Sequence, residues 1–478
     1  MSVRSLRRVF GALLLALLCG SPVAPAAEQE QKRPNVLLIC ADDLTNCLDN
    51  PGVVTPNLDR LRKRAVSFKN AQCQYPQCNQ SRISMLTGLR PDTLGVYDLS
   101  TSVRDAAPDA VTLPQLFKNN GYWSARVGKV YHYGNPGDIG TDGLDDPASW
   151  NRVVNPAGRD IAEEGLITNY TPKRGLGSSM SVLEADGTDV EHTDGLVAVG
   201  AVALMKEYLS ERPDKPFFIA AGFYRPHSPY VAPKPHFEPY PPGSVTVPPF
   251  DGQPAGVPDA ATAFTRPYPW LGVTKEQADD SKRAYLASVT FLDANVGRLL
   301  DALDDAGQTE NTIVVFWSDH GYHLGEKGLW KKQSLYERSA AAPMIVAVPG
   351  QTDRGQSAGA TCKRVVEFLD LYPTVAELAG LKEQAPNDLA GVSLVPLLEN
   401  PNAEWDRPAY TQVRRRAKDG GMAYSVRTQR WRFTRWGDGS EELYDHEADP
   451  NEDENLAADP AYKEQVEVFG VLLDDYAK

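Results

Sequence analysis

The sequence predicts an α/β protein with a central, mostly parallel sheet flanked by helices, and a small antiparallel sheet near the end of the chain. Three observations carry that prediction. Residues 35–40, 216–223 and 312–317 are continuous apolar runs without polar alternation, the pattern of strands buried on both faces. Leu286, Val289, Leu292, Val296, Leu299 and Leu303 recur every three or four residues, which gives a long helix over 275–306 that Gly307 can end. From about Ala409 the period shortens to two, through Tyr424, Val426, Trp431, Phe433 and Trp436, as an antiparallel sheet requires.

With 478 residues, 42% of them apolar and 23% charged, the chain has the composition of a soluble globular protein and room for more than one domain. Its formal charge of −14 argues against nucleic acid as the main partner and confines any polyanion to a local basic pocket. Residues 1–26 read as a signal peptide. Arg4, Arg7 and Arg8 precede a ten-residue apolar core over 9–18, and Ala24-Pro25-Ala26 offers a small-residue cleavage site. That core is too short to span a bilayer, so no stable membrane insertion is expected. Arg7-Arg8-Val9-Phe10 loosely matches a twin-arginine signal. Six cysteines are present, and none of their spacings reads as a disulfide scaffold or a zinc site. Asn-x-Ser/Thr occurs only at Asn79 and Asn169, which leans towards a bacterial exported protein, periplasmic or extracellular.

Taken in order, the first strand ends in Asp42-Asp43. Paired carboxylates at the carboxyl end of a buried strand call for a positive partner, and a hard divalent cation suits them; a solvated turn is the plainer alternative. Thr55 and Pro56 read as the N-cap and first residue of a helix. Cys78 then opens a helix carrying Ile83 and Leu86, with Gly88 as its stop. A nucleophile there lies in the positive field of the helix N-terminus, and Arg82 can reach back over the same turn; the alternative is a buried structural cysteine. A helix over 113–119 and a strand over 124–127 lead to Lys129 and His132, close enough in sequence to share a cleft. Residues 134–195 read as an insertion that shapes that cleft. A helix over 196–209 and the 216–223 strand follow, and His227 then sits between Pro226 and Pro229 on a stiffened backbone. Residues 236–272 look like a surface excursion. The strand over 312–317 ends in Asp319 and His320, repeating the arrangement at Asp42-Asp43, and Lys332 lies shortly after. A strand over 343–348, a helix over 365–378 and a terminal helix over 461–476 complete the chain.

Cys78-Asn79-Gln80-Ser81-Arg82 before Leu86-Thr87-Gly88 resembles the motif of formylglycine-dependent sulfatases, a family of the alkaline-phosphatase-like superfamily. Gln80 stands where that family has Pro or Ala. Asp42-Asp43, Thr55-Pro56-Asn57-Leu58-Asp59, Lys129-x-x-His132, Pro226-His227-x-Pro229, Asp319-His320-Gly321 and Trp330-x-Lys332 follow the family's order, and His227 and His320 are similar to its iduronate-2-sulfatase-like members. The resemblance implies an alkaline-phosphatase-like catalytic domain over 33–400 and a C-terminal subdomain over 401–478. It implies that a formylglycine-generating enzyme converts Cys78 to formylglycine. It also implies that Asp42, Asp43, residue 78, Asp319 and His320 hold one divalent cation, Ca2+ first and Mg2+ second. Arg82 would hold the nucleophile, Lys129 and Lys332 the sulfate oxygens, and His227 would protonate the departing sugar hydroxyl. His132 would deprotonate the second geminal hydroxyl, which expels sulfate from a sulfo-enzyme. The substrate expected is a sulfated carbohydrate. Two rivals remain at this point: a phosphatase or phosphodiesterase on the same fold, and a non-catalytic sulfate-binding relic.

Overall fold

A computed structural model of the chain describes residues 33–477 apart from 251, 255, 264 and 415–420. The expected leader, with Cys19, lies outside the described residues. Eight strands build the main sheet: β1 (Asn35–Asp42), β2 (Val66–Gln72), β3 (Trp123–Gly128), β4 (Arg152–Val154), β5 (Phe217–Pro226), β6 (Thr312–Ser318), β7 (Met344–Ala347) and β8 (Thr361–Glu367). Their order is β8-β2-β7-β6-β1-β5-β3-β4. Only β7 runs against the rest, pairing antiparallel with both β6 and β2.

Every residue of β1 is buried, because the sheet is covered on both faces. Leu37, Ile39 and Ala41 join the core beneath the long helix, while Val36, Leu38 and Cys40 join the core beneath the Cys78 helix. The long helix spans Lys275–Asp305 and starts in a capping box formed by Thr274 and Gln277. It does more than cover the sheet. Asp293 accepts the backbone N–H groups of Asn57 and Leu58, so it caps the Pro56–Arg62 helix. Thr55, expected to do this, makes no side-chain cap bond. Further along, Tyr285 accepts the N–H of Thr45 at 2.9 Å and donates its hydroxyl to the carbonyl of Asp43 at 2.7 Å, which ties the acidic corner to the helix.

Where β3 meets β5, Gly128 and Gly222 face each other in register. A Cβ on Gly222 would lie 2.0 Å from the carbonyl oxygen of Lys129, and one on Gly128 would lie 2.2 Å from that of Gly222. Two glycines are therefore needed for the chain to carry Lys129 inward at this point.

Three expectations need correction. Residues 365–378 are not one helix: β8 runs through Glu367 along the edge of the sheet, and the helix proper is Leu371–Leu378. β2, its parallel partner, was not anticipated at all. The 134–195 insertion is not wholly irregular, since Arg152–Val154 extends the main sheet and short strands at Thr168–Asn169 and Ser181–Ala185 form a second sheet with Tyr230–Pro233. The antiparallel sheet expected from the late alternation is present, with four strands at Ala409–Arg414, Met422–Arg427, Trp431–Arg435 and Glu441–Asp445. It packs against the chain before it through Arg432, which is buried and bonded to Glu452, Glu337 and Gln72.

Candidate active site

β1 and β6 are parallel neighbours, so their carboxyl ends lie side by side. Asp42 closes β1. Asp43 follows with φ 66°, an unusual value for a residue with a side chain, and its N–H donates to Asp319 Oδ1 at 3.1 Å. Cys78 is the first residue of the Cys78–Thr87 helix, which Gly88 ends at φ 71°, and all ten helix residues are buried. The Ser81 hydroxyl on its first turn donates to the backbone carbonyl of Asp319, which fixes the helix start against the second strand end.

One donor atom from each of Asp43, Cys78, Asp319 and His320 lies within 4.8 Å of the others. His320 Nδ1–H donates to the Gly321 carbonyl at 2.9 Å. That leaves Nε2 directed inward, 3.4 Å from Cys78 Sγ and 3.3 Å from Asp43 Oδ1. Lys332 Nζ lies 2.5 Å from Asp43 Oδ1 and 3.3 Å from Cys78 Sγ. His227 is arranged like His320: Nδ1–H donates to the Ser228 carbonyl at 2.6 Å and Nε2 lies 3.6 Å from Asp43 Oδ2. Asp42 stands beside this cluster, with its two oxygens taken by Arg82 at 3.1 Å and Lys129 at 2.6 Å.

Arg82 is fully buried and all five of its N–H groups are spent. Nε donates to Asp319, one terminal nitrogen to the carbonyls of Lys129 and Val130, and the other to the carbonyl of Ala41 and to Asp42. It therefore locks three segments of the site together rather than pointing at position 78. His132 is buried with Nδ1 unpartnered among the described residues. It lines a cavity of about 530 Å³ with Leu99, Ser100, Asp138, Thr141 and Asp142. His323 is held by Ser334 at 2.7 Å.

Burial pushes the Asp43 carboxyl up to about 7 despite the Lys332 ammonium beside it. Burial acts the same way on Asp42, but Lys129, His227 and Arg82 overcome it and hold that carboxyl well below the usual range. For His320 burial favours the neutral ring, yet Asp319 and Cys78 raise it to about 9. Burial, followed by Lys129, lowers His132 to about 3; burial and then Lys332 hold His227 well below the ordinary imidazole value. The residues fit a divalent cation. Buried carboxylates and an anchored imidazole converge. The sulfur of Cys78 is the soft donor among them, and its exchange for an aldehyde hydrate oxygen would leave a set suited to a hard ion.

Two residues without a sequence motif also belong to this region. Lys331 Nζ is buried with no hydrogen-bond partner among the described residues, and burial lowers it to about 7. Asn135 has neither end of its buried amide bonded. Its backbone carbonyl packs on Gly177, where a Cβ would fall 1.8 Å from that oxygen and 3.9 Å from His227 Cε1. A lone Asn and the first of two consecutive lysines carry no signal in a sequence; only the missing partners reveal them.

A family model described as "Sulfatase" matches residues 34–381, and one described as "N-sulphoglucosamine sulphohydrolase, C-terminal" matches residues 325–476. The chain is 33% identical to a protein of Formosa agariphila named "Sulfatase", over 96% of this chain and 89% of that one. It is 31% identical to the Homo sapiens "Iduronate 2-sulfatase", over 81% of this chain and 73% of that one. A structure solved in complex with "its substrate D-Glucosamine-2-N, 6-O-disulfate" shares the fold, with a TM-score of 0.73 at 22% identity over 93% of this chain and 97% of the other. The phosphonate monoester hydrolase of Agrobacterium radiobacter does so too, at 0.72 and 22% over 93% and 95%.

Proposed function

This chain belongs to the sulfatase family and hydrolyses sulfate esters, and on that premise we propose that it is an exported enzyme acting on sulfated carbohydrate, with a formylglycine made from Cys78 and a Ca2+ or Mg2+ ion in its centre. The observation that carries this reading is the meeting of Lys332 Nζ, Asp43 Oδ1 and the side chain of residue 78 within hydrogen-bonding reach of one another. A 2-O-sulfated uronic acid is the first substrate to try, since a relative named iduronate 2-sulfatase is similar over most of this chain.

The work of the chain's own residues follows from their placement. A bound cation supplies Lewis-acid polarisation of sulfate oxygens. Asp43, Asp319 and His320 would hold it, with His320 oriented by the Gly321 carbonyl. Lys332 puts a fixed positive charge beside position 78, where negative charge gathers on the sulfate oxygens. Lys129 neutralises Asp42 and, through it, the inner wall of the site. An aldehyde hydrate at position 78 would offer one oxygen to sulfur and keep a second to release the product. His132 is our choice for removing the proton from that second oxygen. His227 holds Nε2 towards the centre, with Nδ1–H tied to the Ser228 carbonyl, and we assign it the proton that the leaving oxygen takes up, which the ring gives from its imidazolium form after taking up a proton from solvent at Nε2.

His227→Ala separates that role from simple packing. It is expected to lower kcat on a sugar sulfate by about 10²–10⁴-fold, because an alkoxide leaves poorly without a proton. On 4-nitrophenyl sulfate, whose leaving group needs no acid, the loss should be at least tenfold smaller. Equal losses on both would remove His227 from the protonation step.

The function as a whole is tested on purified protein coexpressed with a formylglycine-generating enzyme. The tryptic peptide containing residue 78 should be lighter than its cysteine form by the exchange of SH2 for oxygen, and the protein should prefer 4-nitrophenyl sulfate to 4-nitrophenyl phosphate. An unmodified cysteine together with a preference for the phosphate ester would replace this reading with the phosphatase one.

A further inference from the structure

We propose that Lys331 forms a subsite for a second anionic group on the sugar, a carboxylate or a second sulfate, beside the sulfate that is cleaved. The proposal rests on the sulfatase reading above and adds to it what the rest of the substrate must carry.

Two independent features mark Lys331 as costly. Its ammonium nitrogen is covered and bonded to nothing among the described residues, although buried ammonium groups elsewhere in the site are paired: Lys129 with Asp42, and Lys332 with Asp43. Its backbone also adopts φ 82°, which strains a residue with a side chain. It sits on the two-residue strand Trp330–Lys331, paired in register with His323, and so belongs to the same hairpin that delivers Lys332 to the centre.

The charges around it sharpen the argument. After burial itself, those acting on Lys331 are Arg174 and Lys332, both repulsive, and then Asp43, which is already paired with Lys332. Arg174 is an exposed residue of the 134–195 insertion. Arg174 and Lys332 thus both act against the charge on Lys331, whose Nζ has no acceptor among the described residues. An anion placed against Lys331 would relieve both the unsatisfied ammonium and its repulsion with Arg174. Lys332 contacts Asp43 and position 78 whereas Lys331 hydrogen-bonds neither, so the anion on Lys331 is assigned to a second group rather than to the scissile sulfate. A sugar with a single sulfate would leave Lys331 as costly as before, whereas a uronate sulfate or a disulfated sugar would not.

The test compares wild type with Lys331→Met, which keeps the stem and removes the charge, and with Arg174→Ala. Three probes are used: a 2-O-sulfated uronic acid disaccharide, its carboxyl-reduced counterpart, and a carboxyl-reduced disaccharide bearing two sulfates. We expect Lys331→Met to lower the kcat/KM ratio of a doubly anionic probe to the singly anionic one by about ten- to a hundredfold, the range of a hydrogen bond to a charged group. Arg174→Ala should lower it by less. A fall confined to the first probe identifies a carboxylate, and one confined to the third identifies a sulfate. An unchanged ratio for both overturns the proposal, as does a loss of thermal stability in Lys331→Met, since removing an unpaired buried charge should not destabilise the fold. Calorimetric binding of the same probes to Cys78→Ala protein separates this from the reading beneath it. Affinity ratios that fall with Lys331→Met while wild type cleaves none of the probes would keep the anion subsite and sink the hydrolase assignment.

Discussion

Replacing Cys78 with alanine should lower turnover of any sulfate ester by about 10⁴-fold or more, the scale seen when a catalytic nucleophile is removed. The thiol is small, and its loss takes away contacts with Lys332 and His320 rather than a packed apolar volume, so the protein should remain folded. Circular dichroism and a thermal melt close to wild type would confirm that the loss is chemical. Cys78→Ser extends the same argument. A serine has one hydroxyl where an aldehyde hydrate has two, so at most one equivalent of alcohol should be released before the reaction stalls, visible as a burst without steady turnover. A Cys78→Ala protein with activity within tenfold of wild type would show that another group attacks sulfur.

Arg82→Ala should cost stability rather than only rate. The guanidinium is the shared partner of Asp42 and Asp319 and of three backbone carbonyls, all of them out of water. Burial works against its charge, yet Asp319 and Asp42 hold it protonated beyond the ordinary arginine value. Truncation leaves buried carboxylates facing a void, a change that typically costs about 3–5 kcal/mol for one broken buried pair. Arg82→Lys should recover little, since one ammonium cannot span five acceptors spread over β1, the Lys129 turn and Asp319. Urea denaturation of the two variants measures this. A shift of less than about 1 kcal/mol for Arg82→Ala would mean that the surrounding acids find other partners.

Much of the centre was legible because the relevant residues follow apolar runs. Asp42 and Asp43, and Asp319 and His320, lie at or just past the ends of strands buried on both faces, and in a parallel sheet neighbouring strands present the same end. Lys129, His132 and His227 also follow strands, but a lone lysine or histidine there is common, and they gained weight only through the order of motifs they belong to. The strands at that end of the sheet were missed for a physical reason: β2 carries Lys69 and Asn70, and its neighbour β8 on the edge carries Lys363 and Arg364, all at least partly in water, so neither run reads as apolar or as cleanly alternating. Without a glycine or proline between β8 and the helix that follows, 365–378 looked continuous. What Arg82 does was also hidden. A sequence shows that an arginine is present, not that all of its protons are committed to distant backbone.

The strand order has a consequence for synthesis on the ribosome. Val36 pairs on one side with Phe218 and on the other with Ile313, so the first strand made has no neighbour until almost half of the protein exists, and lacks its second until well over half does. The nascent chain carries position 78 exposed during that interval, which at ordinary translation speeds of about 5–20 residues per second lasts roughly 10–50 s until residue 320 emerges. Any enzyme that must reach that cysteine has its opening then, before late-arriving segments seal it behind a completed sheet.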